Sequence, residues 1–466
     1  MTLNFSLDPA EKDPLFLQIA ARVRSAIAAG QIAPGARLPS SRALAAQLAV
    51  ARGTVDAAYA LLAGEGAVVT RGSLGTIVAG QQAHRIEAPE QAPFLFPSAA
   101  SAPAEGRLPF RMGLPALDAF PRKLWCTLTI RAARTIQPAH LGEVDPAGTP
   151  ELRQAVATYL AVARGIRCSA EQVLITGGFQ GALALIRSVL VRPGDPVWME
   201  DPGYQMTRQA LETAGARVVP VRVDQNGLRV AAGITAAPKA KLAVVTPTHQ
   251  CPTGVALSLP RRLELLAWAA EANSWVVEDD YDSEFRYLGR LLPSLKSLDR
   301  GQRVLYAGSF SKVLFPALRL GYLVVPPELR TAFLRASRLL TCGQPELEQN
   351  VVAAFMRNGH FARHIRRMRI LYAERRRSLA AALETGFGKR AVVEMASGGM
   401  HLLVRFPGAA DDSVLAKGAA QMGLAPTALS SMTMAHDCGQ GLLLGFTNVA
   451  ESEAEALVSR LSAAID

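Results

Sequence analysis

The sequence predicts an α/β protein in two parts: a small helical head closed by a β-hairpin, and a large body built on a mostly parallel sheet. Three observations predict it. In the first eighty residues, apolar side chains recur at helical spacing in three short stretches, followed by two β-prone runs around a glycine turn. From about residue 110 onward, apolar runs of strand length alternate with longer amphipathic stretches, the pattern of strands joined by crossover helices. Between the two, residues 81–110 hold five prolines (Pro89, Pro93, Pro97, Pro103 and Pro109) among small residues. Each proline fixes φ and removes a backbone donor, so neither a helix nor a central strand persists there. This stretch reads as a semi-rigid, extended linker. It divides the chain into a head over 1–80 and a body over 111–466.

At 466 residues the chain has about three domains' worth of length, by a soft prior of roughly 150 residues each. Of 466 residues, 50% are hydrophobic and 19% charged, which suits a large core and excludes wholesale disorder. The five cysteines (Cys126, Cys168, Cys251, Cys342 and Cys438) are scattered and include no CxxC pair. That argues against a disulfide framework and a thiolate zinc site, and fits a reducing cytoplasm. The first residues show no basic segment followed by an apolar core, and no run approaches about 18 uninterrupted apolar residues, so neither a secretory signal nor a membrane span is expected. The net charge of +11 favours a polyanionic partner in general terms. The head, however, carries seven basic against five acidic side chains, only +2 of that excess. Pattern, not charge, has to identify its role.

In the head, Leu15, Ile19, Val23 and Ile27 stand four apart, one face of a helix ended by Gly30. Pro34-Gly35 makes a turn. Leu38-Pro39-Ser40-Ser41-Arg42 offers a serine N-cap to a second helix carrying Leu44 and Leu48. Arg52 to Leu62 forms a third, with Val55, Ala58, Tyr59 and Leu62 inward. Ala67-Val68-Val69, the turn at Arg71-Gly72-Ser73 and Gly75-Thr76-Ile77-Val78 then make a hairpin. Three short helices and a hairpin are a winged helix-turn-helix, whose third helix enters the DNA major groove. Arg52 and Thr54 lie at its leading end. Arg42 is placed to reach a phosphate or a base, and the glycines around Arg71 let the wing backbone approach the duplex. Any one of these arginines alone would be a solvated surface charge; the ordered set points to DNA.

In the body, Trp275-Val276-Val277-Glu278 runs into Asp279-Asp280-Tyr281-Asp282, and Val304-Leu305-Tyr306-Ala307 into Gly308-Ser309-Phe310-Ser311-Lys312. Val173-Leu174-Ile175-Thr176 leads through Gly177-Gly178-Phe179-Gln180 into a helix. Polar groups at strand C-termini are where such sheets bind ligands. A lysine amine such as Lys312 forms a Schiff base with an aldehyde once its pKa is depressed. Asp279 would pair with a protonated pyridine nitrogen. Ser309, Ser311 and Arg319, with backbone donors at Gly177, Gly178 and Phe179, would hold a phosphate dianion. Tyr204 would stack on the ring and Tyr281 would hydrogen-bond its phenolic oxygen. Together these residues describe a pyridoxal 5'-phosphate site.

Both parts resemble known families. Pro14-Leu15-Phe16-Leu17-Gln18-Ile19, Gly30 to Arg42 and Arg52-Gly53-Thr54-Val55 look like the head of GntR-type regulators. That resemblance implies DNA contacts at Arg42, Arg52, Gly53, Thr54, Arg71 and Gly72. One departure is Ala51, where the family often has a hydroxyl residue capping the recognition helix. The body, over roughly 110–466, resembles fold-type I aminotransferases, with a large domain and a small C-terminal α+β domain. Ser309-Phe310-Ser311-Lys312 with Arg319-Leu320-Gly321-Tyr322 is the most specific match. A GntR-type head on such a body is the arrangement of the MocR subfamily of transcription regulators. Thr246 to Gly254 (Thr-Pro-Thr-His-Gln-Cys-Pro-Thr-Gly) and Glu278 to Glu284 (Glu-Asp-Asp-Tyr-Asp-Ser-Glu) are similar to that subfamily's motifs.

Two further departures bear on function. Cys251 stands where aminotransferases usually carry an asparagine that touches the phenolic oxygen. Leu443, three residues before Phe446, stands where they commonly carry an arginine that clamps the substrate carboxylate. Either another arginine, such as Arg405, replaces it, or the effector has no α-carboxylate. The resemblance implies a regulator that binds operator DNA and senses a small amine, an amino acid or the B6 vitamer itself at Lys312, working as a cytoplasmic homodimer. The rival is an active aminotransferase with an attached DNA-binding head. Eight arginines between Arg357 and Arg377 read either as a solvated helix face or as added phosphate contacts.

Overall fold

The computed structural model describes residues 5–8, 11, 13–72, 75–79, 108–289, 292–408 and 411–465. The chain divides into two compact units, Met1–Ala104 and Glu105–Asp466. Most of the expected linker, 80–107, lies outside the described residues, as does Ser73 of the wing turn.

In the head, α1 (Leu15–Ala28), α2 (Ser41–Leu48) and α3 (Arg52–Gly64) precede an antiparallel hairpin of β1 (Val68–Thr70) and β2 (Thr76–Val78). The Ser40 side chain accepts the Ala43 N–H and caps α2, as the sequence suggested. The segment 35–38 runs along β2, with Leu38 N–H donating to the Thr76 carbonyl at 2.9 Å. The core gathers Ile19, Val23, Leu44, Val55, Tyr59, Leu62 and Val78. The α1 face differs from expectation. Leu15 is exposed, and Gln18 is buried instead. Gln18 holds that place by donating to the backbone carbonyls of Asp8 and Asp13 at 3.1 and 2.9 Å, which satisfies a polar group that burial would otherwise penalise.

The body is built on eight strands: β3 (Val173–Thr176), β4 (Pro196–Asp201), β5 (Arg217–Asp224), β6 (Gly227–Leu228), β7 (Leu242–Val245), β8 (Trp275–Asp280), β9 (Val304–Ser309) and β10 (Gly321–Val324). They lie in the order β3-β10-β9-β8-β7-β4-β5-β6. The pairs from β9 through β8, β7 and β4 to β5 are parallel, and β10 is antiparallel to both its neighbours. Strands β3, β7, β8 and β10 are buried along their whole length, so they do not alternate, and β8 carries its apolar run only as far as Val277 before three buried acids.

Register places the site. Gly321, opening β10, pairs with both Thr176 at the end of β3 and Ser309 at the end of β9. The turns after β3 and β9, and the turn before β10, therefore meet at one level. Position 321 has no room for a side chain, since a Cβ there would lie 2.8 Å from the Gly308 carbonyl oxygen and 2.9 Å from Gly178 Cα. A second, antiparallel sheet of β11 (Val392–Glu394), β12 (His401–Arg405), β13 (Thr427–Ala428) and β14 (Leu442–Gly445) forms the smaller C-terminal domain, in the order β11-β12-β14-β13. Of the eight arginines in the arginine-rich segment, Arg357 ends the helix Glu346–Arg357 and the other seven lie in the helix His360–Phe387, in which Arg375, Arg376 and His364 are buried. The His364 ring contacts the Val313 carbonyl at 2.8 Å, so part of this cluster is core rather than surface.

Candidate functional site

A body cavity of about 460 Å³ is lined by Gly178, Phe179, Tyr204, Asp279, Tyr281, Ser309, Ser311, Lys312 and Arg319, among others. Of the cofactor residues singled out from sequence, Gly177 alone does not line it; it is the N-cap residue of the helix Gly178–Leu190.

Strand β8 sorts its acids by face. Alternation along a strand sends Glu278 and Asp280 away from Asp279. Glu278 accepts the backbone N–H groups of Leu295 and Lys296, and Asp280 pairs with Arg164 at 2.7 Å. Asp279 points the other way, into the cavity, and its carboxyl takes no hydrogen bond from any described residue. Burial, then the charges of Asp280, Glu200 and Asp282, push its carboxyl well above the usual carboxylate range, with Lys312 pulling in the opposite direction. A buried acid in this state lacks a cation. A protonated ring nitrogen supplies one.

A phosphate cradle lies at the strand ends. No side chain caps the helix Gly178–Leu190, so its first-turn N–H groups are left for an anion. Ser309 Oγ accepts the Ser311 N–H at 3.1 Å and keeps its own proton to donate. Arg319 lines the same cavity and pairs with no described residue. These donors suit a dianion.

Lys312 is held beside them. Its Nζ donates to the Gly113 carbonyl at 2.9 Å, and a Cβ at Gly113 would lie 2.3 Å from that nitrogen. Burial lowers the amine's pKa, Arg111 acts in the same direction, and Cys251, Asp282 and Asp279 oppose. The free amine, the form that attacks a carbonyl, is thereby favoured.

Tyr281 is set from behind. His249 Nδ1 lies 2.9 Å from the Tyr281 hydroxyl and 3.1 Å from Asp282 Oδ2. An ionised carboxylate only accepts, so Asp282 places the proton on Nδ1. With that proton directed at Asp282, Nδ1 offers the tyrosine no lone pair, and the Tyr281 O–H is free to donate into the cavity. Cys251 also lines this wall, its thiol kept protonated chiefly by burial. Beneath it, burial pushes Glu200 up to about 7, against hydrogen bonds from Thr246 and Gln250.

Taken together, the lone acid, the uncapped helix with its serines and arginine, and the poised amine fit pyridoxal 5'-phosphate at three separate points. Asp279 would hold the ring nitrogen, Ser309, Ser311, Arg319 and the helix the phosphate, and Lys312 the aldehyde carbon.

The structure adds residues the sequence reading missed: Arg111, Met112, Gly113, Gln180, Met400, His401, Thr427 and Met432. The one local signal was Phe110-Arg111-Met112-Gly113, an abrupt return to large side chains after the proline-rich stretch. The suggestion that Arg405 replaces the missing clamp is overturned. Its guanidinium is tied to Glu394 and to the Cys438 and Gln440 carbonyls, and it does not line the cavity. Leu443 is fully buried against Leu403, Leu429 and Met432.

In the head, Arg52, Gly53 and Thr54 form the first turn of α3, Arg42 lies in the first turn of α2, and Arg71 and Gly72 follow β1 at the hairpin tip. All but the half-buried Thr54 are exposed. Arg52 Nε lies 3.5 Å from Asp56 in a solvent-exposed pair, which a phosphate can displace at little cost. No side chain caps α3 at Ala51.

Comparison with known proteins agrees with both halves. Residues 129–461 match the family "Aminotransferase class I and II", and residues 15–78 match "Bacterial regulatory proteins, gntR family". The chain is 36% identical over 455 residues to the probable rhizopine catabolism regulatory protein MocR of Rhizobium meliloti, covering 95% of this chain and 92% of that one. It is 37% identical over 433 residues to the HTH-type transcriptional regulator TauR of Rhodobacter capsulatus, covering 89% and 88%. The body resembles the crystal structure of the α-aminoadipate aminotransferase LysN of Thermus thermophilus, complexed with N-(5'-phosphopyridoxyl)-L-leucine. The TM-score is 0.70 at 29% identity, over 77% of this chain and 92% of that one.

Proposed function

Since the chain belongs to the MocR subfamily of GntR-type transcription regulators, with a class I and II aminotransferase domain behind its DNA-binding head, we propose that it reads an amine signal at Lys312 and converts it into a change in its hold on operator DNA. Bound there, pyridoxal 5'-phosphate supplies an aldehyde that exchanges one amine for another and a ring that withdraws electrons. Asp279 keeps the ring nitrogen charged, Tyr281 donates a proton toward the phenolic oxygen, and the Gly113 carbonyl orients the Lys312 amine. Arg42, Arg52, Gly53, Thr54, Arg71 and Gly72 hold the DNA. The signal is an effector amine or the B6 vitamer itself, and it acts only so far as its affinity differs between the DNA-bound and free arrangements.

The observation that carries sensing over turnover is Leu443, sealed in an apolar cluster where a transaminase clamp would stand. A leucine gives an α-carboxylate nothing to bind, which weakens the repeated orientation that turnover requires. In this reading the protein is cytoplasmic, is divided at about 80 and 110, and works as a homodimer on paired half-sites. Exposed Leu117, Ile130 and Leu141 support a second copy, since they are apolar side chains left uncovered along one stretch.

The test uses the cofactor-loaded full chain with an amine panel, an amino donor and a keto acceptor. A stoichiometric absorbance change without continuing product is expected, and Lys312→Ala abolishes both the covalent absorbance signature and the response. Sustained multiple turnover would make the chain an aminotransferase instead.

A further inference from the structure

We infer that Asp201 is a positioning residue that sets specificity from outside the cavity: it clasps a loop of the small domain to the turn that carries Tyr204, and so fixes how bulky an amine the site admits. The inference deepens the cofactor reading above and rests on it.

Asp201 ends β4 and is fully buried, yet it does not line the cavity. Its carboxylate reaches the loop 429–441, which joins β13 to β14 in the small domain. Oδ1 accepts the Met434 N–H at 2.8 Å, and Oδ2 accepts the Ala435 and His436 N–H groups at 2.8 Å each. The His436 ring, partly exposed, brings Nδ1 to 2.9 Å from Oδ2. A carboxylate only accepts, so that nitrogen carries the proton. Three successive backbone donors converging on one anion make a strong and directional hold. The seam is closed again beside the cavity, where the Gly203 N–H donates to the Met432 carbonyl at 2.9 Å. Position 203 leaves no room for a side chain, since a Cβ there would lie 2.2 Å from the Glu200 carbonyl oxygen.

The clasp joins two parts of one wall. Tyr204 follows Gly203, and Met432 comes just before the stretch that Asp201 binds; both line the cavity, one from the large domain and one from the small. The same loop is fastened within the small domain by a second fully buried acid, Asp412, at the start of the helix Asp412–Gln421. Asp412 accepts the Ser430 N–H at 3.0 Å and the Gly441 N–H at 2.9 Å. The two aspartates divide the work: Asp412 shapes the loop, and Asp201 holds the shaped loop against the large domain. Asp279 on β8, Lys312 just after β9 and the phosphate cradle stand apart from this seam, so the cofactor's own anchors do not depend on it. The cavity of about 460 Å³ must hold cofactor and effector together. With the clasp closed, Tyr204 and Met432 are fixed as one wall, and a wall that cannot yield refuses a bulky amine while admitting a slender one.

The experiment treats the cofactor-loaded full chain with two oxyamines, O-methylhydroxylamine and the bulkier O-benzylhydroxylamine. Each places its nitrogen on the aldehyde carbon and releases Lys312 as the free amine, a change that absorbance follows. Wild type, Asp201→Asn, His436→Ala and His436→Gln are compared. Asp201→Asn sets an amide N–H against at least one of the loop's donors whichever way it is turned. The ratio of benzyl to methyl rate is expected to rise roughly tenfold in Asp201→Asn and about threefold in His436→Ala, the sizes of a buried charged hydrogen bond and a partly exposed one. The starting cofactor absorbance and the methyl rate should stay near wild type. His436→Gln keeps a donor for Asp201 and should return the ratio toward the wild-type value. A general loosening of the body would instead speed both reagents alike. An unmoved ratio in the variants, or rates that rise equally for both reagents, overturns the inference alone. Should Asp201→Asn fail to fold, the two His436 variants decide it: a ratio raised by alanine and returned by glutamine supports the clasp, and a ratio that neither moves overturns it. A wild type that never takes up the cofactor overturns both the inference and the reading beneath it.

Discussion

The head and the body handle charge in opposite ways. Among the described head residues, Gln18 is the one buried polar side chain, and every arginine is left in or near solvent. The body buries Glu200, Asp201, Glu278, Asp279, Asp280 and Asp282 together with Arg164 and Arg262. A solvated charge costs little to hold and acts by meeting a polyanion, so what it does fades with salt. A buried charge is costly unless it is paired, so what it does depends on partners and on pH. The head is therefore a rigid apolar frame that presents charge, and the body a polar interior that tunes it. Salt should perturb the first and acid the second.

The largest expected break in that comparison is Arg164→Met. Arg164 pairs with Asp280 at 2.7 Å and donates to Thr248 Oγ1 at 2.9 Å, and both ionic side chains are almost fully buried. Removing it strands a carboxylate, at a cost of roughly 3–5 kcal/mol. All four tryptophans (Trp125, Trp198, Trp268 and Trp275) lie in the body, so tryptophan fluorescence reports its unfolding alone. The midpoint should fall sharply at neutral pH and recover partly on acidification. A stranded acid has a folded pKa above its unfolded one, so its penalty is present above the folded pKa and lifts as pH drops through it. A loss independent of pH would mean that packing, not charge, was what Arg164 supplied.

The same contrast governs what could be read in the sequence. Asp279, Tyr281, Ser309, Ser311, Lys312 and Arg319 were legible because each sits just at or beyond the end of an apolar run, and that juxtaposition is local. Gly113 was not, because its partner Lys312 is 199 residues away and only the folded sheet brings them together. His401 and Thr427 likewise reach the cavity from short strands of another domain. The head was legible almost throughout, since its helices are short and amphipathic and α2 opens on a serine cap. The exception was the α1 face: a four-residue spacing could not reveal that Gln18 would find two backbone carbonyls and displace Leu15 from the interior. The two-residue strand β6 had too little length to leave a pattern.

A smaller effect tests the presenting side. Arg52→Ala should weaken operator binding by about 1–3 kcal/mol if the guanidinium reads a base edge. If it touches a phosphate instead, the salt dependence should fall by roughly one unit of slope. Gel-shift or anisotropy titrations at several salt concentrations separate the two, and the cofactor's absorbance should stay as in wild type. Unchanged affinity at every salt concentration would remove the first turn of α3 from the DNA interface.

The smallest effect compares two helix starts within the head. Ser40 caps α2 from φ −60°, ψ 151°, while Ala51 opens α3 from nearly the same conformation, φ −66°, ψ 142°, with no side chain to accept a hydrogen bond. Ala51→Ser therefore needs no backbone change. Its hydroxyl would take the Thr54 N–H, which now bonds the Ala51 carbonyl at 3.0 Å, just as Ser40 takes that of Ala43. The gain should be about 1 kcal/mol, seen as slower amide exchange across the first turn of α3, with the body's tryptophan transition unmoved. If the hydroxyl also meets a phosphate, operator affinity rises as well. Unchanged exchange at Thr54 would show that the first turn of α3 is held by the packing of Val55 and Tyr59 and gains nothing from a cap.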